Sequence, residues 1–156
     1  MKTLTFQDQF QAPAPPERVF PLLCPIREYD WLDGWRCTLL HSESGVAERD
    51  CVFRTEGQGE GPMTWVVSRY EPPLRIEFTC LVPDALVMRL DISVKKSGAG
   101  ASLLEWSRRF VSLGERGDLM LGEREAGHAS VMARIEGALV HYLETGSILR
   151  GAAPAR

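Results

Sequence analysis

The sequence predicts an α+β domain: a curved seven-stranded antiparallel sheet around one long C-terminal helix, with two short helices after the first strand. Three observations predict it. Apolar and polar residues alternate with period 2 in successive segments up to residue 113. Short turns carrying Gly or Pro join most of those segments, as in antiparallel hairpins. After Gly114 the period changes to 3.6.

Residues 3–12 read as the first strand, with Leu4, Phe6 and Phe10 on one parity and Thr5, Gln7, Gln9 and Gln11 on the other. Pro13, Pro15 and Pro16 end it. A proline in the first turn of a helix is tolerated because its missing N–H would be orphaned anyway. Residues 15–23 therefore read as a short helix that buries Val19, Phe20, Leu22 and Leu23 and stops at Pro25. Residues 26–32 form a second short helix or turn, ending at Asp33-Gly34. Strands follow over 35–42, 51–56, 63–70, 74–82, 85–96 and 101–113. On the 85–96 strand Leu86, Met88, Leu90, Ile92 and Val94 share one parity.

The last element is an amphipathic helix over residues 118–144. Its stripe, Leu121, Glu125, His128, Met132, Ile135, Leu139 and Leu143, falls within about 80° at ~100° per residue. Asp118 is placed to cap its start and Gly146 its end. An antiparallel sheet with one apolar face needs a cover, and this helix is the only element long enough. The space between the two is the default ligand site. Residues 1–146 are one domain, and 147–156, rich in Gly, Ala and Arg, are a flexible tail.

Composition sets the remaining bounds. A chain of 156 residues, 44% hydrophobic and 25% charged, suits one globular domain. A net charge of -3 argues against a nucleic-acid partner. No apolar run approaches the ~18 residues of a membrane span. Met1-Lys2-Thr3-Leu4-Thr5 leads into polar sequence, which does not read as a signal peptide. Cys24, Cys37, Cys51 and Cys80 have no CxxC spacing and read as reduced thiols in a cytoplasmic protein. Three of them lie in apolar segments and act as small hydrophobes.

Three local patterns carry a family resemblance. Phe10-Gln11-Ala12-Pro13-Ala14-Pro15-Pro16-Glu17-Arg18-Val19-Phe20 resembles the strand-to-helix opening of the START and Bet v 1-like (SRPBCC) superfamily. Tyr70-Glu71-Pro72-Pro73-Leu74-Arg75-Ile76-Glu77-Phe78 resembles its proline-marked hairpin. Gly98-Ala99-Gly100-Ala101-Ser102-Leu103-Leu104-Glu105-Trp106 resembles the entry to its last strand. The chain looks most like the bacterial polyketide cyclase/dehydrase-like and heat-shock-ATPase-activator-like branches. That resemblance implies a helix-grip fold with an apolar pocket and does not imply one reaction, since the fold hosts carriers, cyclases and oxygenase domains.

Few residues are candidates for chemistry. His128 and Glu125 lie one turn apart on the helix stripe. There they form a core pair, a ligand contact, or a general acid/base with its orienting carboxylate. Arg108 shares parity with Leu104, Trp106 and Phe110, which makes it a partner of Glu125, a residue of the sheet rim, or an anchor for a carboxylate or enolate. Trp31, Trp35, Trp65, Trp106 and Tyr29 are either core or pocket wall, with Trp31 and Trp35 near the expected entrance. The expected lining is Trp31, Trp35, Phe53, Trp65, Phe78, Met88, Trp106, Arg108, His128 and Met132.

Other signals carry less. Gly57-x-Gly59-x-Gly61 lies between strands rather than before a helix, so it reads as a hairpin and not a phosphate loop. His41 and His141 lack metal-ligand spacing, and no Cys/His cluster suggests zinc or an iron–sulfur centre. No metal and no cofactor is therefore expected. The sequence reads as a binder of a small or medium hydrophobic molecule, monomeric or homodimeric. A polyketide cyclase/dehydratase-like enzyme using His128 or Arg108 is the first alternative, and a chaperone-ATPase-activator-like interaction module the second.

Overall fold

A computed structural model describes residues 1–57 and 60–151 of the chain. Gly59 of the predicted glycine turn and residues 152–156 of the predicted tail lie outside the described residues.

The first strand, β1 (Thr3–Ala12), has the predicted bounds. The prolines then start a single helical turn, α1 (Pro16–Val19), which tightens into a 3-10 turn over Phe20–Leu23. A second 3-10 turn spans Arg27–Asp30. Six strands follow: β2 (Thr38–His41), β3 (Val52–Gly57), β4 (Gly61–Glu71), β5 (Arg75–Val82), β6 (Leu86–Lys96) and β7 (Ser102–Ser112). All neighbours are antiparallel, in the order β1-β7-β6-β5-β4-β3-β2. The sheet therefore joins its first and last strands in sequence. The predicted α+β architecture is the observed one.

β2 is shorter than the predicted 35–42 strand because Trp35 belongs elsewhere. Its indole N–H donates to the Pro25 carbonyl at 2.7 Å, which pins it to the turns rather than to the sheet. Trp31 does the same with the Leu22 carbonyl at 2.7 Å.

The long helix, α2 (Glu115–Thr145), begins one turn before the predicted start. Gly114 is its N-cap, and Asp118 is not a capping residue. Asp118 lies in the first turn, where the helix dipole favours negative charge, and pairs with the Lys2 ammonium at 3.4 Å. Gly146 ends the helix as predicted, in a left-handed conformation (φ 72) that glycine adopts without a Cβ penalty. Gly117 has a different reason to be glycine. A Cβ there would sit 2.0 Å from the Ala85 carbonyl oxygen, so the helix start is pressed onto the β5–β6 turn.

The inner face of the sheet carries Phe53, Trp65, Phe78, Leu90, Ile92, Trp106 and Phe110, all essentially buried. Against it α2 buries Met132, Ile135, Ala138, Leu139 and Leu143. Each Met, Ile and Leu among them contributes roughly 1.5–3 kcal/mol of apolar burial. Cys24, Cys51 and Cys80 are buried free thiols. Burial is also what raises the Cys51 and Cys37 thiols above their ordinary range, which suits packing rather than reactivity. Among the described residues, no helix is long and apolar enough to cross a membrane.

Candidate functional site

Register places the site. In the β1–β7 pairing Phe6 faces Arg108 and Asp8 faces Trp106. On β7, Leu104, Trp106, Arg108 and Phe110 are all buried and share the inner face. Arg108 therefore points inward and is only 7% exposed. Asp8 shares the inward parity of Phe6 and Phe10 on β1 and is half-buried. From above, α2 lowers His128 between them.

The three polar residues form one chain. An Arg108 guanidinium nitrogen lies 2.8 Å from His128 Nδ1, and His128 Nε2 lies 3.0 Å from Asp8 Oδ1. A guanidinium only donates, so Nδ1 accepts and the ring proton sits on Nε2, donating to Asp8. The Phe6 ring stacks on the imidazole at 3.7 Å with an 8° interplanar angle. It also carries the Arg108 guanidinium carbon 5.9 Å from its centroid. His128 is thus fixed by two hydrogen bonds and one stacking face. Both ring nitrogens are engaged, so the imidazole holds Arg108 in place and offers no lone pair to a neighbouring molecule.

Glu125 is not the partner of this pair. It is exposed, and Asp8 takes the role expected of it. Gly117, Arg124, His128 and Ile135 share one azimuth to within about 40°, and Glu125 is about 80° from Ile135. The residue that does face inward one turn before His128 is Arg124. It is ion-paired to Glu60, and both side chains are largely buried. Sequence reasoning missed Asp8, Arg124 and Glu60. Asp8 had a readable signal: it is the one charged residue on the apolar parity of β1.

Two small cavities meet at Arg108, Phe110 and Arg124. The inner one, about 10 Å³, is walled by Met63, Trp65, Met88, Leu90, Trp106 and Ile135 in addition to Arg108, Phe110 and Arg124. The outer one, about 100 Å³, adds Phe6, Glu60, His128 and Val131. Of the expected lining residues, Trp65, Met88, Trp106, Arg108 and His128 border these spaces. Trp31, Trp35, Phe53, Phe78 and Met132 are buried but border neither. Trp31 and Trp35 staple the turns, and Phe53 packs its ring parallel to Trp65 at 5.8 Å. Tyr29 is exposed, and its hydroxyl donates to the Cys37 carbonyl at 2.9 Å. A larger recess, about 820 Å³, lies over Gln7, Gln9, Arg75, Asp91, Lys95 and Glu105. Its charges are neutralised locally, by Arg75 with Asp91 and by Lys95 with Glu105, and it has the character of a solvated face.

The sequence profile of the family described as "Polyketide cyclase / dehydrase and lipid transport" matches residues 3–141. The chain belongs to that family. No curated protein matches it significantly. Among solved structures it resembles an uncharacterized protein from Rhizobium leguminosarum, with TM-score 0.64 and 16% identity, covering 88% of this chain and 95% of the other. It also resembles a protein of the dynemicin biosynthetic locus, with TM-score 0.63 and 22% identity, over 97% of this chain and 49% of that longer one. A third likeness is to norcoclaurine synthase from Thalictrum flavum, solved with dopamine and hydroxybenzaldehyde, with TM-score 0.66 and 11% identity over 92% and 87%. At these identities the likeness is one of fold, the helix-grip architecture.

Proposed function

We propose that this family member binds a small or medium hydrophobic molecule between the sheet and α2. The observation that carries the reading is the Arg108–His128–Asp8 chain, set beside a cavity whose other walls are largely apolar. Burying a guanidinium is costly, and well-packed apolar residues often serve stability as well or better. A polar chain kept at this depth suits the orientation of something in the cavity. The family description, which includes lipid transport, supports the same reading. Affinity would come from apolar burial, at about 25 cal/mol per Å².

The cavities as they stand, about 10 and 100 Å³, are smaller than the ~150 Å³ that takes benzene, so even a benzene-sized group needs side chains of the wall to shift. A longer ligand displaces the middle of α2. Native mass spectrometry of the purified protein, followed by solvent extraction, tests the reading. The expected result is an added mass released as an apolar compound. A protein that carries nothing and binds no apolar probe overturns it.

A polyketide cyclase-like enzyme is the second reading, favoured by the position of Arg108. Its planar donor fork borders the cavity, where it would stabilise a developing enolate oxygen. His128 is then a positioning residue and not the base. Turnover of a β-polyketone thioester that disappears in Arg108→Met while the substrate still binds would support this version.

A further inference from the structure

The chain has four tryptophans, and three of them satisfy their indole N–H within the protein. Trp31 donates to the Leu22 carbonyl, Trp35 to the Pro25 carbonyl, and Trp65 to the Thr55 hydroxyl, at 2.7, 2.7 and 2.9 Å. Trp106 differs. It is 2% exposed and borders the inner cavity, and its Nε1–H has no hydrogen-bond partner among the described residues. A buried donor left unmatched costs about 1–3 kcal/mol, and native proteins keep few of them. On the facing helix Arg124 repeats the pattern. Its terminal nitrogen pairs with Glu60, while its buried Nε–H is also unmatched. Arg124 borders both cavities, as does Arg108.

The sign of these groups is informative. The unmatched polar atoms of Trp106 and Arg124 are donors, and the charged residues that wall the inner cavity, Arg108 and Arg124, are guanidinium cations. The carboxylate of Glu60 at the rim is taken up by Arg124. A ligand that completes this wall brings acceptor oxygens and no donors. Charge-assisted bonds to an anionic oxygen are roughly twice as strong as neutral ones.

Resting on the binding reading above, we infer that the polar end of the ligand is an oxyanion, a carboxylate or enolate, seated between Trp106 Nε1–H and the Arg124 Nε–H beside Arg108. The apolar body then lies along Met63, Trp65, Met88 and Ile135. Trp106 is the residue that decides between an acid and its neutral or cationic analogues. Its ring alone would pack equally well against any of them.

Four probes that share one ring separate the possibilities: benzoate, acetophenone, benzyl alcohol and benzylamine, titrated into the ¹⁵N-labelled protein. Benzoate is expected to bind about tenfold more tightly than the other three, the gain of one charge-assisted bond. It is also expected to move one indole N–H signal. In Trp106→Phe, which keeps an aromatic ring, that signal is absent and the preference for benzoate falls to about twofold. If Trp106→Phe does not fold, the indole shift in the wild type still decides the matter. Acetophenone, benzyl alcohol or benzylamine binding as tightly as benzoate overturns the oxyanion and leaves the binding reading standing. Benzoate binding without an indole shift overturns the seat at Trp106. Failure of all four to bind removes the binding reading itself, and this one with it.

Discussion

Two stretches of α2 are held to the sheet by different physics. From 132 to 143, Met132, Ile135, Ala138, Leu139 and Leu143 are buried in contact with the core. From 122 to 131 no residue is fully buried. The ties there are the Arg124–Glu60 ion pair and the bonds of His128 to Asp8 and Arg108. Gly122 and Gly127 weaken this stretch further, by about 1 kcal/mol each relative to alanine. Outside the helix's own backbone, no atom of the described residues lies within 4 Å of where their Cβ atoms would be, so close packing does not account for them. Apolar burial is non-directional and is lost only when the helix leaves the sheet. A polar tie can be exchanged for water or for a ligand group at small net cost. The comparison teaches that the helix is anchored at its C-terminal half and exchangeable in its middle, beside the cavity.

The largest effect expected is in the apolar half. Leu139→Ala, at a fully buried position, should cost about 2–5 kcal/mol in urea unfolding, as cavity-forming core substitutions do. A loss below about 1 kcal/mol, the range of a surface change, would break the comparison there. His128→Ala comes next. It removes the His128 bonds of Asp8 and Arg108 and should lower stability by about 1–3 kcal/mol. Ligand affinity measured separately should fall further than this loss of stability accounts for. Unchanged affinity would make the histidine purely a core residue.

Glu60→Gln should be milder, about 1–2 kcal/mol, between the limits for surface and buried pairs. Its sharper readout is hydrogen exchange. Amides over 122–131 should exchange faster in the variant, and those over 132–143 should not change. Uniform acceleration along the helix would show that the two stretches open as one unit.

The smallest effect concerns pH. The Ser112 hydroxyl, and then the Lys2 ammonium, hold the Asp118 carboxyl below its ordinary range. A lowered folded-state pKa adds stability above the unfolded value, and this is lost as pH falls through the folded one. Asp118→Asn should therefore lower stability slightly at neutral pH, leave the acid end nearly unchanged, and so flatten the acid limb of the stability curve. A variant with the same acid limb as the wild type would remove Asp118 from the account.

The architecture was legible in the residues because each element buries one face with its own period. Alternation defined the strands, the prolines after β1 and the glycine after α2 marked boundaries, and the shift to 3.6 identified the helix. Parity also turned Arg108 inward, and the helix stripe brought His128 toward the same interior. Tertiary structure alone decided the partners. Asp8 is 120 residues from His128, and only the closure of β1 onto β7 places it under the helix. The stripe through Leu121, Met132, Ile135, Leu139 and Leu143 is buried as read, but Glu125 on the same stripe is exposed and the charge turned to the cavity is Arg124, held by Glu60 from a remote strand end. Tryptophan shows the same limit, since apolar area says that Trp31, Trp35, Trp65 and Trp106 are buried but not which indole finds an acceptor. Hydrophobic burial depends on local pattern and is written along the chain, whereas hydrogen-bond partnership depends on distances between remote segments and exists only once the sheet has closed.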